Sequence, residues 1–369
     1  MRLPAILFFV AFTFLCWGTY GPVLHIGQEL MDHSRWRPFM CVGLAYFLIA
    51  VVGPWMMLGG KNEKGRWTFS GTVWSFIAGI ITSIGALGII LAFNFGGKPV
   101  YVMPLVFGCS PVVNTVVTMF MTGSHNRIRW PFYVAVLLVA LGAAGVFIFK
   151  PKPVKAHAAV SSEVVEQSRA FRAEADASEE KAEEEKEEAA EETTDEESTS
   201  LFKVLLSVFV TVICWGSYGP LLHRGQVKME NCRLRPFMCV GLAYFAVAVL
   251  VPLYILWKYG EPGRFGIQGT LWSLVAGALG AFGSLGIILA FTSGGKPVYV
   301  MPLIFGMAPV INTLTSMGKS YMNSGEFGTI ETPFIVSLCL VITGAVCVLL
   351  FAPRNKPAAP PEPEPEPAT

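Results

Sequence analysis

Apolar runs of nearly membrane-crossing length alternate along the chain with short polar breaks. One set falls at about 3–24, 36–58, 72–95, 100–120 and 131–149, and a second at about 203–222, 235–257, 270–292, 299–317 and 333–351. Each approaches the roughly 20 residues that an α-helix needs to cross the hydrocarbon core of a bilayer. Lipid offers no water to unpaired backbone groups, so each run is expected to be a helix. Only Gly96-Gly97-Lys98-Pro99 and Gly294-Gly295-Lys296-Pro297 separate the third and fourth runs of each set. That spacing predicts a tight interfacial hairpin, with a re-entrant element as the alternative.

The two sets are one unit written twice. An offset of 198 positions carries the run Arg37 to Phe47 onto an identical run beginning at Arg235. The same offset carries Leu87–Phe93 onto Leu285–Phe291, and Gly96–Leu105 onto Gly294–Leu303. An odd number of spans per unit makes the second copy enter the membrane from the opposite side. The expected fold is therefore an all-α polytopic membrane protein of ten transmembrane helices, arranged as two inverted five-helix repeats. Its parts are a first repeat at 1–150, an acidic linker at 151–200, a second repeat at 201–352 and a Pro/Glu-rich tail at 353–369. The apolar start after Met1-Arg2 resembles a signal peptide, but its repeat partner is internal, so it is expected to remain as span one.

Composition sharpens this picture. Hydrophobic residues make up 53% of the 369 residues, charged ones only 14%, and the mean hydropathy is +0.55. Soluble domains carry charge on about a quarter of their positions. Of 26 acidic residues, sixteen lie between 151 and 200 and three in the last eight residues. The linker holds little that is large and apolar, so a solvated, partly helical tether is expected. The proline-rich tail reads as extended polyproline-like chain. No basic domain points to nucleic acid. The eight cysteines lie mostly within apolar runs without CxxC spacing and read as small packing residues.

Arg and Lys are unequally shared between equivalent loops. The side holding the N-terminus carries Arg224, Lys228, Arg233 and Arg235 against Arg35 and Arg37 opposite, and Arg127 and Arg129 against Lys319. The positive-inside tendency then makes both termini cytoplasmic and puts the linker on the other side. Lys150, Lys152 and Lys155 run against that assignment. Short loops without sorting signals suit a bacterial inner membrane.

The remaining seven acids, Glu29, Asp32, Glu63, Glu230, Glu261, Glu326 and Glu331, fall between the apolar runs. A proton carrier in an antiporter is usually a carboxylate inside a span, and none is present there. No HExxH, Ser-His-Asp grouping, nucleotide loop or Cys/His cluster occurs. Catalytic residues, a cofactor and a metal centre are therefore not expected.

Other polar and aromatic groups recur at the repeat offset. Asn114 and Asn312 sit in Gly-x-x-Pro-Val-x-Asn-Thr, where they either face a ligand or bond across helices. Pro104 with Pro111, and Pro302 with Pro309, are expected to kink the fourth and ninth spans and free carbonyls. Trp17 and Tyr20 match Trp215 and Tyr218, either as interfacial anchors or as rings lining a cavity. His25 and His223, with Lys98 and Lys296, are candidates for a cavity mouth or gate, or else plain interfacial groups. Gly79, Gly85 and Gly88, with Gly277, Gly283 and Gly286, mark small-residue faces for close helix packing.

Two five-span halves, the Trp-Gly-x-Tyr-Gly-Pro start of each, and the short link into a Pro-containing fourth span resemble the drug/metabolite transporter superfamily, in particular its ten-span EamA-like members. The resemblance implies a central cavity lined by spans one to four and six to nine, with five and ten as peripheral supports. It favours Trp17, Tyr20, Asn114, Trp215, Tyr218 and Asn312 as lining residues. The expected function is secondary transport, by alternating access, of a small polar metabolite that is neutral or anionic rather than cationic. The alternative is a non-transporting receptor or scaffold that binds a partner through the acidic linker. A small-molecule substrate and the lipid bilayer are the expected partners, with a homodimer as an open option and no coupling ion specified.

Overall fold

The computed structural model describes residues 3–60, 65–123, 129–149, 179–230, 232, 234–293, 297–324 and 331–351. The described residues form ten helices. They are α1 (Leu3–Glu29), α2 (Trp36–Phe47, continuing through a π-helical turn Leu48–Val52 into Gly53–Gly60), α3 (Phe69–Asn94), α4 (Pro99–Thr122) and α5 (Trp130–Ile148). The second half holds α6 (Glu179–Lys228), α7 (Leu234–Phe245, continuing through a π-helical turn Ala246–Leu250 into Val251–Lys258), α8 (Ile267–Thr292), α9 (Pro297–Ser324) and α10 (Thr332–Phe351). Seven are long and apolar enough to cross a membrane, and Trp130–Val146 and Thr332–Val348 are shorter apolar helices. Phe8, Trp55, Trp130, Leu137, Trp257 and Ile335 are among the large apolar side chains left on the outside, where lipid rather than water suits them. The chain is an all-α polytopic membrane protein.

Local chemistry sets the helix ends. Thr68 caps α3 by accepting the Gly71 N–H at 3.1 Å. The turn from α3 to α4 is tight: Gly96 takes φ 91°, the Gly97 N–H reaches Ala92 O at 2.8 Å, and Pro99 opens the next helix. A left-handed Gly123 closes α4. In α2 and α7 a π-turn precedes Pro54 and Pro252 by the same spacing, and the Gly53 N–H reaches back five residues to Leu48 O. The wider turn absorbs the proline's missing donor without breaking the span.

Three helices run clearly past the C-terminal ends that the apolar pattern predicts. α6 continues to Lys228 instead of about 222, α1 to Glu29 instead of 24, and α9 to Ser324 instead of about 317. Polar residues on the last turns of α1 and α9 pair with one another, so these two helices need not stop where the apolar run does. On the linker, residues 179–199 continue α6 as helix, and 150–178 lie outside the described residues.

Packing between the halves is reciprocal. α1 packs on α8 as α6 packs on α3, and α1 meets α9 as α6 meets α4. At the centre α2 crosses α7: Gly43 lies against Ala248 and Val249, while Gly241 lies against Ala50 and Val51. There the Tyr46 and Tyr244 rings stack at 3.9 Å between centroids and 2° between planes. α5 and α10 pack on each other and on α4 and α9, at the edge of this core.

Candidate functional site

Helix positions set the site. The small-residue faces of α3 and α8 let α1 and α6 approach closely enough for indoles to bond to backbone. Trp17 Nε1 donates to Gly280 O at 3.2 Å, and Trp215 Nε1 donates to Thr82 O at 3.1 Å. Thr13 and Thr211 repeat the pattern on Gly283 O and Gly85 O. With their N–H groups fixed to helices, both indoles are held in place at the wall between the halves. The Tyr244 hydroxyl donates to Thr82 O at 3.2 Å, and the Tyr46 hydroxyl lies 3.1 Å from Gly280 O and 3.0 Å from Ser284 Oγ. Phe107 stands between the indoles, stacked near Trp17 at 6.4 Å and tilted to Trp215 at 6.2 Å.

These rings line a cavity of about 590 Å³ between the halves. That size falls in the usual range for small-molecule sites. Trp17, Tyr20, Asn114, Trp215, Tyr218 and His223 of the expected residues all line it. The lining runs from the stacked tyrosines to His223, Arg224 and Val227 at the end of α6, which are exposed, so the cavity reaches the surface there. The Arg224 guanidinium lies over the Trp74 ring at 4.6 Å. No residue of α5 or α10 lines the cavity among the described residues.

Asn312 behaves differently from its counterpart. It is fully buried, and its Nδ2 donates to Pro99 O at 2.7 Å, joining α9 to the start of α4. This bond belongs to a layer of contacts that closes the other end of the bundle. Gln28 Nε2 donates to Ile90 O at 3.1 Å, and the His25 ring meets Phe93 edge-on at 5.1 Å. His25 Nδ1 lies 3.0 Å from Glu29 Oε1 and 3.2 Å from Lys319 Nζ, and Lys319 also pairs with Glu29. Nδ1 donates to the carboxylate when it carries a proton and accepts from the ammonium when it does not. At repeat-equivalent positions beside the cavity stand His223, Val227 and Met121, so the charged pair is replaced by apolar side chains.

The other expected residues sit around this frame. Lys98 is exposed at the N-cap of α4, at the closed end. Lys296 and the side chain of Pro302 lie outside the described residues. Pro104 and Pro111 lie inside α4, which runs unbroken, and Pro309 lies inside α9. Pro111 and Pro309 have no N–H for the carbonyls of Phe107 and Phe305, and both phenylalanines line the cavity. One turn further on, Thr115 and Thr313 bond back to Pro111 O and Pro309 O at 2.9 and 3.0 Å.

Tyr46, Tyr244, Phe107 and Phe305 were not singled out from sequence. The tyrosines are visible as hydroxyl-bearing rings in mid-span, each of which needs a partner in an apolar setting. Glu29 with Lys319 carries no such signal, because the repeat gives neither a charged counterpart. Among the described residues, no group of three or more His, Cys, Asp or Glu is placed to hold a metal ion. No known family model matches the chain, and no curated protein matches its sequence.

Proposed function

We propose that the protein is a secondary transporter that moves a small polar metabolite by alternating access. In this reading ten helices cross the membrane as two inverted five-helix repeats, residues 1–150 and 201–352, and the chain is a member of the drug/metabolite transporter superfamily. Opposed helix directions support the inversion: Trp17 meets Gly280 while Gly27 meets Ser273, so α1 and α8 run antiparallel, as do α3 and α6. With both termini cytoplasmic, the cavity opens to the cytoplasm and the contacts around Glu29 seal the far side.

One observation carries the proposal. A central, aromatic cavity reaches the surface at one end, while repeat-equivalent positions at the other end are packed shut. Two interchangeable halves around one site can alternate between two such states. The lining offers no carboxylate among the described residues, and its rim carries Arg224 and His223, which favours a neutral or anionic cargo over a cation.

The test replaces the eight native cysteines and introduces Glu29→Cys with Lys319→Cys. The purified protein is reconstituted in vesicles and assayed with amino acids, sugars, nucleosides and organic acids. Saturable uptake of one class is expected, abolished when a short reversible thiol reagent bridges the pair and restored by reduction. Uptake that survives the bridge would sink alternating access. No saturable uptake by the unbridged protein would sink transport and favour the receptor reading.

A further inference from the structure

The cavity combines ring faces, a few free hydrogen-bonding groups and no interior charge, and that combination selects a cargo. We infer that the site takes a neutral, flat heterocycle with donors and acceptors on its edge, of the nucleobase or nucleoside kind. The inference rests on the transport reading above and names its substrate.

Most polar groups near the cavity are already engaged. Both indole N–H groups, the Tyr244 hydroxyl and the Tyr46 hydroxyl bond to helix carbonyls or to Ser284, and Thr82 Oγ1 bonds to Ala78 O at 2.8 Å. Tyr20 and Ser110 differ. They are only 4% and 3% exposed, they line the cavity, and neither hydroxyl has a hydrogen-bond partner among the described residues. A buried hydroxyl without a partner is costly, and a ligand that supplies the partner recovers that cost. Asn114, one helical turn beyond Ser110, adds an amide at the wall, with its Nδ2 packed on Gly219. An amide presents a donor and an acceptor side by side. That is the pattern offered by a ring nitrogen beside an exocyclic amino or carbonyl group.

The ring faces point the same way. Trp17, Trp215 and Phe107 are held by backbone bonds or mutual contact, so their faces are preorganised for stacking. Stacking on aromatic side chains tolerates any flat ring and needs no charge. A zwitterion is disfavoured, because the ionisable lining groups among the described residues, apart from tyrosines, are His223 and Arg224 at the rim. A carboxylate and an ammonium carried to the floor would both lack partners. A hexose has no flat ring that sets a donor and an acceptor side by side for the Asn114 amide.

The experiment measures binding and flux separately on the full chain. Tritiated uridine, adenine, glucose and tryptophan are tested for equilibrium binding in detergent and for uptake into vesicles. Uridine or adenine is expected to bind saturably, with glucose and tryptophan at background. Tyr20→Phe is expected to leave the thermal stability unchanged or raised, since it removes an unpartnered hydroxyl, and to weaken binding about three- to tenfold. Ser110→Ala should act in the same direction. Preferential binding of glucose or tryptophan, or binding by none of the four, would overturn the substrate class. Unchanged affinity in both folded variants would overturn the assigned contacts. Binding of the heterocycle without uptake would keep the class and overturn transport.

Discussion

Gly283 and Gly85 show how single atoms shape the cavity. A Cβ at Gly283 would overlap Trp17 Cδ1 and Nε1, and one at Gly85 would overlap Trp215 Cδ1 and Nε1. Neither indole can swing aside without breaking its bond to Gly280 O or Thr82 O. Overpacking of this kind costs about 1–3 kcal/mol. Gly283→Ala is therefore expected to lower stability by about that amount in a denaturant titration, with Gly85→Ala alike. A stability unchanged in both would mean that the walls have slack. These glycines were legible in the sequence as close-packing positions, since their spacing repeats at the same offset. Their indole partners were legible only as one of two readings: Trp17 and Trp215 stood as cavity-lining candidates beside the interfacial-anchor reading, and the helix register places both at the cavity.

At the scale of elements, the loop between α7 and α8 is fastened to the start of α2 by one carboxylate. Glu261 accepts from the Ser34 hydroxyl, from the backbone N–H groups of Arg35 at 2.9 Å and Trp36 at 3.3 Å, and from the Arg35 side chain at 3.2 Å. It thus caps a helix of the opposite half. Arg37 closes the clasp with bonds to Pro262 O at 2.9 Å and Glu261 O at 3.0 Å. Burial pushes the Glu261 carboxyl upward, but the hydrogen bonds from Ser34, Arg35 and Trp36 outweigh it and hold the group below its ordinary range. Because the folded pKa is the lower one, the unfolded chain takes up the proton first as pH falls. The contribution to stability is therefore complete near neutral pH and is lost as pH drops through and below the ordinary carboxylate range. Glu261→Gln should cost about 1–2 kcal/mol at neutral pH and flatten the acid limb of a melting-temperature profile. A variant with the parent's acid limb would show that the clasp does not bear on stability. Nothing in the sequence announced this cap. Glu261 read as one of several loop acids, and its partners lie across the halves, where only the fold brings them together.

For the whole molecule, the repeat made most of the architecture readable, and its exceptions carry what was hidden. Reciprocal pairs such as Trp17 with Gly280 and Trp215 with Thr82 follow from one offset. The contacts of Glu29 and Lys319 do not, because the equivalent positions hold Val227 and Met121. In the proposed alternation the two ends would be sealed by different chemistry: closing the far end forms the Glu29–Lys319 pair, and closing the cavity end would bring Val227 and Met121 together. An ion pair half in contact with water contributes up to about 1 kcal/mol, which shifts a two-state population by about fivefold. Replacing Glu29→Val together with Lys319→Met makes the far end resemble the cavity end. The expected result is a shift toward the conformation open at the far end. In a cysteine-replaced background, an additional Met121→Cys reports it directly, since its labelling by a polar thiol reagent should slow, by at most about fivefold. High salt should slow labelling in the parent toward the variant's rate, because screening weakens the same pair. A labelling rate indifferent to both the substitution and salt would mean that the equilibrium is set by the apolar and backbone contacts around Asn312 and Gln28, with the ion pair a bystander.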